Sequence, residues 1–507
     1  MKLEQLLTGI DDIVNFSGNS RGEVSSVCYS ASECGEGSVF VAIPGLKHDG
    51  HDFIGNAIAR GAKYIVHEKD LQFPPSVTSI KVTGSRRALG ILAKNYFGNP
   101  SAALVMIAVI GTNGKTTITY LLESILKAAG FKCGVLGTVN YRFNDQVYPA
   151  PNTTPESYEM QKILRQMVDD GVTHVVAEVS SHAIDLKRVD DCDFDLGIFT
   201  NLTRDHLDYH QTMENYFQAK KRFFSEVLPQ SRKVHSRKMV INNDDPWGQR
   251  ILTEAPLAAL TYGIEGDCSI KAADYELSLS GISAGINASG KLFSVSSPLI
   301  GKFNLYNILA AVSTASILNI PQPVIESGIK NMSCVPGRLE SVPSQSGLHV
   351  FVDYAHTDDA LRRVLQNLTA LKEKRIITVF GCGGNRDRGK RPLMGEAAVS
   401  YSDLTIVTSD NPRLEDPLEI IREIETGIDQ QKIKKIDIGN PDTTSDVQSY
   451  TVIPEREKAI EAAIGIASVG DIVLIAGKGH EDYQIIGTTK IPFDDRKIAA
   501  HALQMKG

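Results

Sequence analysis

The feature that most constrains this chain is an apolar stretch that runs into a glycine turn and then into a helix-like segment. Val105–Ile110 is rich in β-branched residues, the turn reads Gly111-Thr-Asn-Gly-Lys-Thr-Thr117, and the following segment ends at Gly130. This order predicts a strand, a phosphate-binding loop and a helix whose N-terminus faces an anion. The full G-x-x-x-x-G-K-[ST] pattern is not met, because its first glycine would fall at Val109. A glycine-rich turn with a chance Lys-Thr pair therefore stays the alternative.

The loop predicts a nucleoside triphosphate as ligand. Lys115 is expected to reach the β- and γ-phosphates, and the Thr116 hydroxyl is expected to bind Mg²⁺. The residues predicted to surround the phosphates are Gly111, Thr112, Asn113, Gly114, Lys115, Thr116 and Thr117.

Composition narrows the class of protein. The chain has 507 residues and a net charge of −7, so no global basic field predicts nucleic acid or membrane as a partner. Its seven cysteines are odd in number and lack C-x-x-C spacing, which argues against a disulfide framework and a zinc site. Acidic residues near the start do not fit a signal peptide. We therefore expect a cytoplasmic protein.

Alternating strand and helix patterns predict an α/β fold of three domains. The predicted boundaries are 1–99 for a small N-terminal domain, 100–335 for a central P-loop-type parallel sheet, and 336–507 for a C-terminal Rossmann-like sheet. Residues 262–300 are expected to form an antiparallel β insertion in the central domain.

Polar residues follow the predicted central strands, where open α/β sheets bind ligands. Glu178 closes one strand and is predicted to complete a Mg²⁺ site with Thr116, although it could merely cap the following turn. His206 and His210 are four residues apart, a spacing that suits zinc on one helical face, but surface histidines are the favoured interpretation.

Three loops in the C-terminal region follow separate strands. They are Gly381–Pro392 with several basic residues, Asp410-Asn-Pro-Arg413, and Gly477-Lys-Gly-His-Glu481. Parallel strands would bring all three to one edge of the sheet. Arginines there suit carboxylates and Glu481 suits an ammonium group, so the loops predict a zwitterionic amino acid as ligand.

With these motifs in view, the sequence resembles the Mur ligases of peptidoglycan synthesis, and within them the members that add the third peptide residue. The resemblance also rests on Asn152-Thr-Thr-Pro155, Tyr216-Phe-Gln-Ala-Lys220, Asn304-Leu-Tyr-Asn307, Pro336–Glu340 and Asp353-Tyr-Ala-His356. It implies an ATP-dependent amide ligase, a monomer, that joins meso-diaminopimelate to UDP-MurNAc-L-Ala-D-Glu through an acyl phosphate. Two other ligases are alternatives: one that adds L-lysine and one similar to folylpolyglutamate synthetase. An alternative from a different class is a P-loop ATPase that acts as a regulatory module.

The resemblance also implies residue roles. Lys115, Lys220 and His206 are the implied catalytic residues. Two Mg²⁺ ions are implied, the second near His206 and a carbamylated Lys220, with Lys221 as the positional alternative. The remaining ATP contacts implied are Asn304, Arg338, Asp353 and His356. The UDP-substrate contacts implied are Thr153, Thr154, Ser180 and Arg188. The diaminopimelate contacts implied are Arg386, Asp410, Asn411, Pro412, Arg413, Gly477 and Glu481.

One motif departs from the family pattern. Family members usually carry Asp-Ser-Arg before the first conserved strand, where this chain has Ser30-Ala-Ser32. Ser30 and His48 are accordingly only weak candidates for contacts to the uridine end.

Overall fold

A computed structural model describes residues 1–45, 48–332, 334–437 and 448–506. The chain divides into two compact units. The first comprises Met1–Ala273, Ile286–Phe293 and Tyr306–Ile329, and the second comprises Asp274–Gly285, Ser294–Leu305 and Lys330–Gly507. Within the described ranges, no helix combines the length and the apolar character needed to span a membrane.

The N-terminal sheet of the first unit has the strand order β1-β5-β4-β3-β2. It is parallel except for β1, and apolar clusters cover both of its faces. Its strands are β1 (Ile13–Ser17), β2 (Val27–Cys28), β3 (Val39–Val41), β4 (Tyr64–His67) and β5 (Thr78–Val82), and its helices are α1 (Leu3–Leu6), α2 (Ile54–Ala59) and α3 (Ser85–Tyr96).

The central sheet contains the predicted phosphate-binding strand. Its strands are β6 (Val105–Ile110), β7 (Cys133–Leu136), β8 (Tyr141–Phe143), β9 (Gln146–Tyr148), β10 (His174–Glu178), β11 (Leu196–Phe199), β12 (Lys238–Asn242), β13 (Ala259–Gly263), β14 (Ile270–Ser278), β15 (Gly281–Ala288) and β16 (Lys291–Ser297). The strand order is β16-β15-β14-β13-β12-β11-β6-β10-β7-β8-β9, and β12, β11, β6, β10 and β7 run parallel. Strand β6 thus lies between β11 and β10, whose carboxyl ends flank the loop that follows it.

The helices of this region connect the central strands, except the last two, which follow β16. They are α4 (Lys115–Ala128), α5 (Ser157–Asp169), α6 (Ser181–Asp185), α7 (Leu207–His210), α8 (Met213–Arg222), α9 (Leu228–Gln230), α10 (Pro246–Glu254), α11 (Lys302–Ile317) and α12 (Gln322–Lys330). The predicted β insertion corresponds to β14–β16, whose two connections are each two residues long. Helix α4 begins at Lys115 itself, so the lysine and Thr116 stand in its first turn.

The C-terminal sheet has the order β17-β18-β23-β19-β20-β22-β21. Its strands are β17 (Glu340–Val342), β18 (His349–Asp353), β19 (Ile376–Phe380), β20 (Leu404–Val407), β21 (Lys434–Lys435), β22 (Ser449–Val452) and β23 (Ile472–Ala476), followed by the hairpin β24 (Tyr483–Ile486) and β25 (Thr489–Pro492). Its helices are α13 (Asp358–Leu371), α14 (Lys390–Tyr401), α15 (Pro417–Glu425), α16 (Arg456–Ile466) and α17 (Asp495–Lys506). All strands but β17 are parallel in this sheet, and both faces are apolar. The α/β prediction is confirmed.

Candidate active site

The phosphate-binding loop is held by the residues that follow β11. The backbone N–H groups of Thr112 and Asn113 donate to Asn201, at 2.9 Å and 3.0 Å. The Asn113 side chain donates to Thr203 Oγ1 at 3.1 Å, and Thr200 Oγ1 donates to the Asn113 carbonyl at 2.7 Å. Because these contacts come from a neighbouring strand, the loop shape is imposed by the sheet rather than by the glycines alone.

Both glycines are nevertheless required by close packing. A Cβ on Gly111 would lie 1.8 Å from Thr200 Oγ1, and one on Gly114 would lie 2.3 Å from Asn307 Oδ1. Gly114 also has a φ of +90°, which favours glycine. Val109, where the full pattern would need its first glycine, is a buried strand residue. The missing glycine therefore does not weaken the loop.

Two lysines converge on the loop. Lys115 Nζ lies 3.0 Å from the Gly111 carbonyl oxygen, and Lys220 Nζ donates to the same oxygen at 2.9 Å. Lys220 is almost fully buried on α8. Burial, reinforced by Lys115 and opposed by Asp205, holds the pKa of the Lys220 ammonium well below its usual range. Burial thus shifts the Lys220 equilibrium towards the neutral, nucleophilic amine, compared with a lysine in water.

Glu178 stands next to the loop, in register with Val109 of β6. Its buried carboxylate accepts hydrogen bonds from the backbone N–H and the hydroxyl of Thr138, at 3.0 Å and 2.9 Å. The Thr138 hydroxyl also lies 3.0 Å from that of Thr153. The cap of α6 is Ser180, so Glu178 is not the capping residue of the following turn.

A second polar group adjoins Glu178. Thr154 Oγ1 donates to the Glu178 carbonyl at 2.9 Å and accepts from the Ser180 backbone N–H at 3.0 Å. Arg188 donates to the Thr154 carbonyl at 3.4 Å and pairs with Glu156 at 3.3 Å. The structure thus brings the four residues predicted for the UDP-substrate to one place.

Three histidine rings gather beside this region. His182 lies between the two predicted histidines, with ring centroids 5.0 Å from His206 and 5.4 Å from His210. His206 has a left-handed φ of +53° immediately before α7. His210 is buried, bonds Ser181 and has its pKa lowered to about 4, mainly by burial. Among the described residues, no group of three or more His, Cys, Asp or Glu side chains could hold a metal ion. His210 is not the surface residue expected.

The two weak uridine candidates belong to the N-terminal sheet region. Ser30 precedes the 3₁₀ turn Ala31–Glu33, and its hydroxyl lies 2.8 Å from that of Ser32. His48 is exposed and packs edge-on against Phe53. Neither position makes a contact that would strengthen its assignment.

The four other predicted ATP contacts are in the second unit. Asp353 is buried at the end of β18, and its carboxylate accepts from the Leu339 and Ala355 backbone N–H groups at 2.7 Å and 2.8 Å. Burial raises the pKa of Asp353, while Arg338 opposes that shift. Asn304 donates to the Ile300 carbonyl, Arg338 stacks over the Tyr354 ring, and His356 is exposed beside the Tyr354 carbonyl.

The three C-terminal loops do meet at one edge of their sheet, because β20, β19 and β23 are adjacent and parallel. Their centre is Lys478, which is fully buried. Its Nζ lies 3.4 Å from Asp410, 3.2 Å from Asn411 Oδ1 and 3.3 Å from Glu481. The Asn411 amide donates to Glu481 at 2.9 Å. Gly477, at a φ of +115°, allows the last loop to turn beneath Asp410.

Arginines line the first two of these loops. Arg413 has a left-handed φ of +53°, and its guanidinium donates to the Gly384 carbonyl at 2.8 Å. Pro412 before it is buried. Arg391 is buried in ion pairs with Glu415 and Glu423, whereas Arg386 is exposed. Arg388 is exposed but pairs with Glu423, so Arg386 and Arg413 are the arginines of these loops that could meet a ligand carboxylate without giving up an ion pair.

Sequence reasoning missed two residues that organise these sites. Lys478 was visible in the Gly477–Glu481 motif, but its burial between two carboxylates was not. Thr138 has no motif around it, and only the pairing of β10 with β7 brings it to Glu178.

Comparison with known proteins identifies the family. Family models match residues 23–97 ("Mur ligase family, catalytic domain"), 109–315 ("Mur ligase middle domain") and 337–479 ("Mur ligase, glutamate ligase domain"). A curated relative from Geobacter sulfurreducens, UDP-N-acetylmuramoyl-L-alanyl-D-glutamate--2,6-diaminopimelate ligase, is 45% identical over 99% of both chains.

Solved structures extend the comparison. A diaminopimelate ligase of the same name is 31% identical, covers 100% of this chain and 99% of its own, and has a TM-score of 0.71. Mycobacterium tuberculosis folylpolyglutamate synthase, complexed with ADP and AMPPCP, has a TM-score of 0.60 at 16% identity over 78% of this chain and 92% of its own. At that identity the likeness shows the fold alone.

The P-loop-type sheet, the second α/β unit and these matches define an ATP-dependent, amide-bond-forming ligase. ATP is its co-substrate, as the loop at Gly111–Thr117 predicted. The chain belongs to the Mur ligase family.

Proposed function

We propose that this enzyme joins meso-diaminopimelate to UDP-MurNAc-L-Ala-D-Glu, with ATP converted to ADP and phosphate. The observation that carries the amino-acid choice is the mixed-charge group at the C-terminal sheet edge. Arg413 and Arg386 offer guanidinium groups for a distal carboxylate, and Asp410 and Glu481 with one buried cation, Lys478, leave an excess negative charge for an ammonium group. L-Lysine has no distal carboxylate to pair with Arg413, so the same site disfavours it.

In the proposed reaction the side-chain carboxylate of the substrate D-Glu attacks the γ-phosphorus of ATP. ADP leaves, and the resulting acyl phosphate is attacked by the amine, with phosphate as leaving group. Lys115 would offset the repulsion between the two anions. Thr153, Thr154, Ser180 and Arg188 would hold the UDP-linked substrate, and Asn304, Arg338, Asp353 and His356 would complete the contacts to ATP.

Two Mg²⁺ ions belong to the proposal. Thr116 and Glu178 would hold one, and a hydroxyl with a buried carboxylate fits the oxygen ligands that this ion prefers. His206 and Lys220 would hold the second. A bound ion supplies positive charge beside the phosphates. Lys220 would serve as a carbamate: its neutral amine adds to the carbon of CO₂ and loses one proton, which converts a neutral group into an anionic ligand with two carboxylate-like oxygens.

In this proposal, residues 1–99, 100–335 and 336–507 form three domains. The protein is proposed to be a monomer in the cytoplasm. Sedimentation velocity tests the monomer.

Phosphate release with ATP and UDP-MurNAc-L-Ala-D-Glu tests the substrate assignment. We expect release that depends on meso-diaminopimelate and is at least tenfold slower with L-lysine. Equal rates with both amino acids would overturn the diaminopimelate assignment. Release without any amine would favour a plain ATPase instead.

Arg413→Ala tests whether Arg413 selects diaminopimelate as the amino acid. Loss of a charge-assisted pair costs about 2–5 kcal/mol, so KM for diaminopimelate should rise at least about 30-fold. KM for ATP should change less than about threefold. Arg422→Ala, at an exposed residue on α15, is the matched control. Equal losses for ATP and diaminopimelate would show that Arg413 has a different role.

Metal removal tests the Mg²⁺ assignment. Excess EDTA should abolish phosphate release, and added Mg²⁺ should restore it. Glu178→Gln should keep the Thr138 contacts but need more Mg²⁺ for half-maximal rate. Full activity in EDTA would exclude the metal role.

A further inference from the structure

The N-terminal sheet contains two cysteines that no part of the ligase reaction uses. Cys28 ends β2, and Cys34 follows the 3₁₀ turn Ala31–Glu33. Their sulfur atoms are 2.8 Å apart, about 0.8 Å longer than a disulfide bond of about 2.05 Å. Both side chains are buried, and neither thiol forms a disulfide in the structure.

The backbone holds the two thiols in this position. The Glu33 N–H donates to the Ser30 carbonyl at 3.1 Å, and the Cys34 N–H donates to the Ala31 carbonyl at 3.4 Å. This turn brings Cys34 back over the end of β2, where Cys28 Sγ also lies 3.4 Å from the Val39 carbonyl oxygen. Bond formation therefore needs a small side-chain adjustment rather than a movement of the sheet.

We propose that Cys28 and Cys34 form an oxidisable dithiol site whose co-reactant is a low-molecular-weight disulfide such as glutathione disulfide. The Cys34 thiolate attacks one sulfur of the co-reactant, which breaks that S–S bond and releases one glutathione thiolate. Cys28, after losing its proton, attacks Cys34 Sγ and releases the second glutathione. Two protein thiols and one glutathione disulfide thus become one protein disulfide and two glutathione thiols.

The two thiols are unequal in a way that suits this order of attack. The hydrogen bond from Cys28, with a smaller contribution from Ser38, lowers the pKa of the Cys34 thiol despite its partial burial. The hydrogen bond to Cys34, followed by burial, raises the pKa of Cys28. The lower pKa increases the thiolate fraction of Cys34, the form that attacks disulfides.

Peptide mass analysis of the full-length protein tests the site. The folded protein is incubated with excess glutathione disulfide, quenched in acid, denatured and alkylated without reduction. Cleavage after Arg21 and Lys47 then yields one peptide that holds only these two cysteines. We expect most of this peptide to be two hydrogens lighter and to carry no alkyl group. Cys133 and Cys192, single buried cysteines of the central region, should stay alkylated.

Two variants make the order of attack testable. Cys28→Ser should trap glutathione on Cys34, and Cys34→Ser should take up at least fivefold less glutathione on Cys28. Fluorescence of Trp247, the single tryptophan of the chain, verifies that the protein stays folded during oxidation. Two alkyl groups on the wild-type peptide, or a disulfide that forms only in urea, would overturn the proposal.

Discussion

Replacing Lys220 by Met should make the first unit more stable while abolishing ligase activity. Lys220 is almost fully buried on α8, and its Nζ donates a hydrogen bond to the Gly111 carbonyl at 2.9 Å. Burial lowers the pKa of its ammonium, so folding shifts its equilibrium towards the neutral amine. The folded state therefore bears a cost that a methionine of similar length would not.

The size of that cost follows from proton linkage. An unfolded lysine has a pKa of about 10.4, and each unit of pH below it costs about 1.36 kcal/mol if the amine must be neutral. At about pH 7.5 the cost is at most about 4 kcal/mol. Loss of the hydrogen bond to Gly111 subtracts about 1 kcal/mol, and Lys115 still contacts that oxygen. The expected net gain is about 1–3 kcal/mol.

The lowered pKa of Lys220 also determines how the stability of the wild type changes with pH. Between the lowered folded pKa and the unfolded pKa of about 10.4, the unfolded state binds more protons, so wild-type stability rises with pH. Lys220→Met lacks this slope. Its advantage over the wild type should therefore shrink as the pH approaches about 10.

Urea unfolding followed by Trp247 fluorescence measures the effect. Trp247 packs 4.9 Å from Phe217, which is on the same helix as Lys220, so its emission reports this region. Buffers free of CO₂ and metal keep Lys220 unmodified. The control is Lys221→Met, which breaks only the 2.7 Å pair with Glu254 and should change stability by less than about 1 kcal/mol.

A variant at Lys220 that is less stable than the wild type at about pH 7.5 would refute the cost of burial. An advantage that does not shrink at higher pH would refute its assignment to proton linkage. With Mg²⁺ present throughout, added bicarbonate should stabilise the wild type but not Lys220→Met, and an equal effect of bicarbonate on both would contradict the carbamate.

Two further predictions concern the separate sites. Lys478→Met leaves Asp410 and Glu481 without their buried cation, which costs about 3–5 kcal/mol. We therefore expect lower stability in urea or a KM for diaminopimelate that is at least about 30-fold higher. If both the stability and this KM were unchanged, Lys478 would not organise the site. Gly114→Ala places a Cβ 2.3 Å from Asn307 Oδ1, at a residue whose φ is +90°. The affinity for ATP, measured by calorimetry, should therefore fall at least about tenfold. An affinity equal to that of the wild type would show that the loop can relax.

Much of the fold could be read from local pattern. The helix α13 begins where Thr357 caps it, and its buried face repeats at Leu361, Leu365 and Leu368. Helix α14 was not predicted, because its start at Lys390 follows glycines and precedes a proline, which together are typical of a loop.

The sequence by itself determined which groups are available and in what order: the loop at Gly111–Thr117, Glu178 at a strand end, and three polar loops after separate strands. Only the tertiary structure decided that Lys220 shares an oxygen with Lys115, that Lys478 is buried between two carboxylates, and that Cys28 faces Cys34. The reason is physical. Burial and the sign of a pKa shift are properties of the surroundings, and folding assembles those surroundings from residues that are mostly distant in the chain.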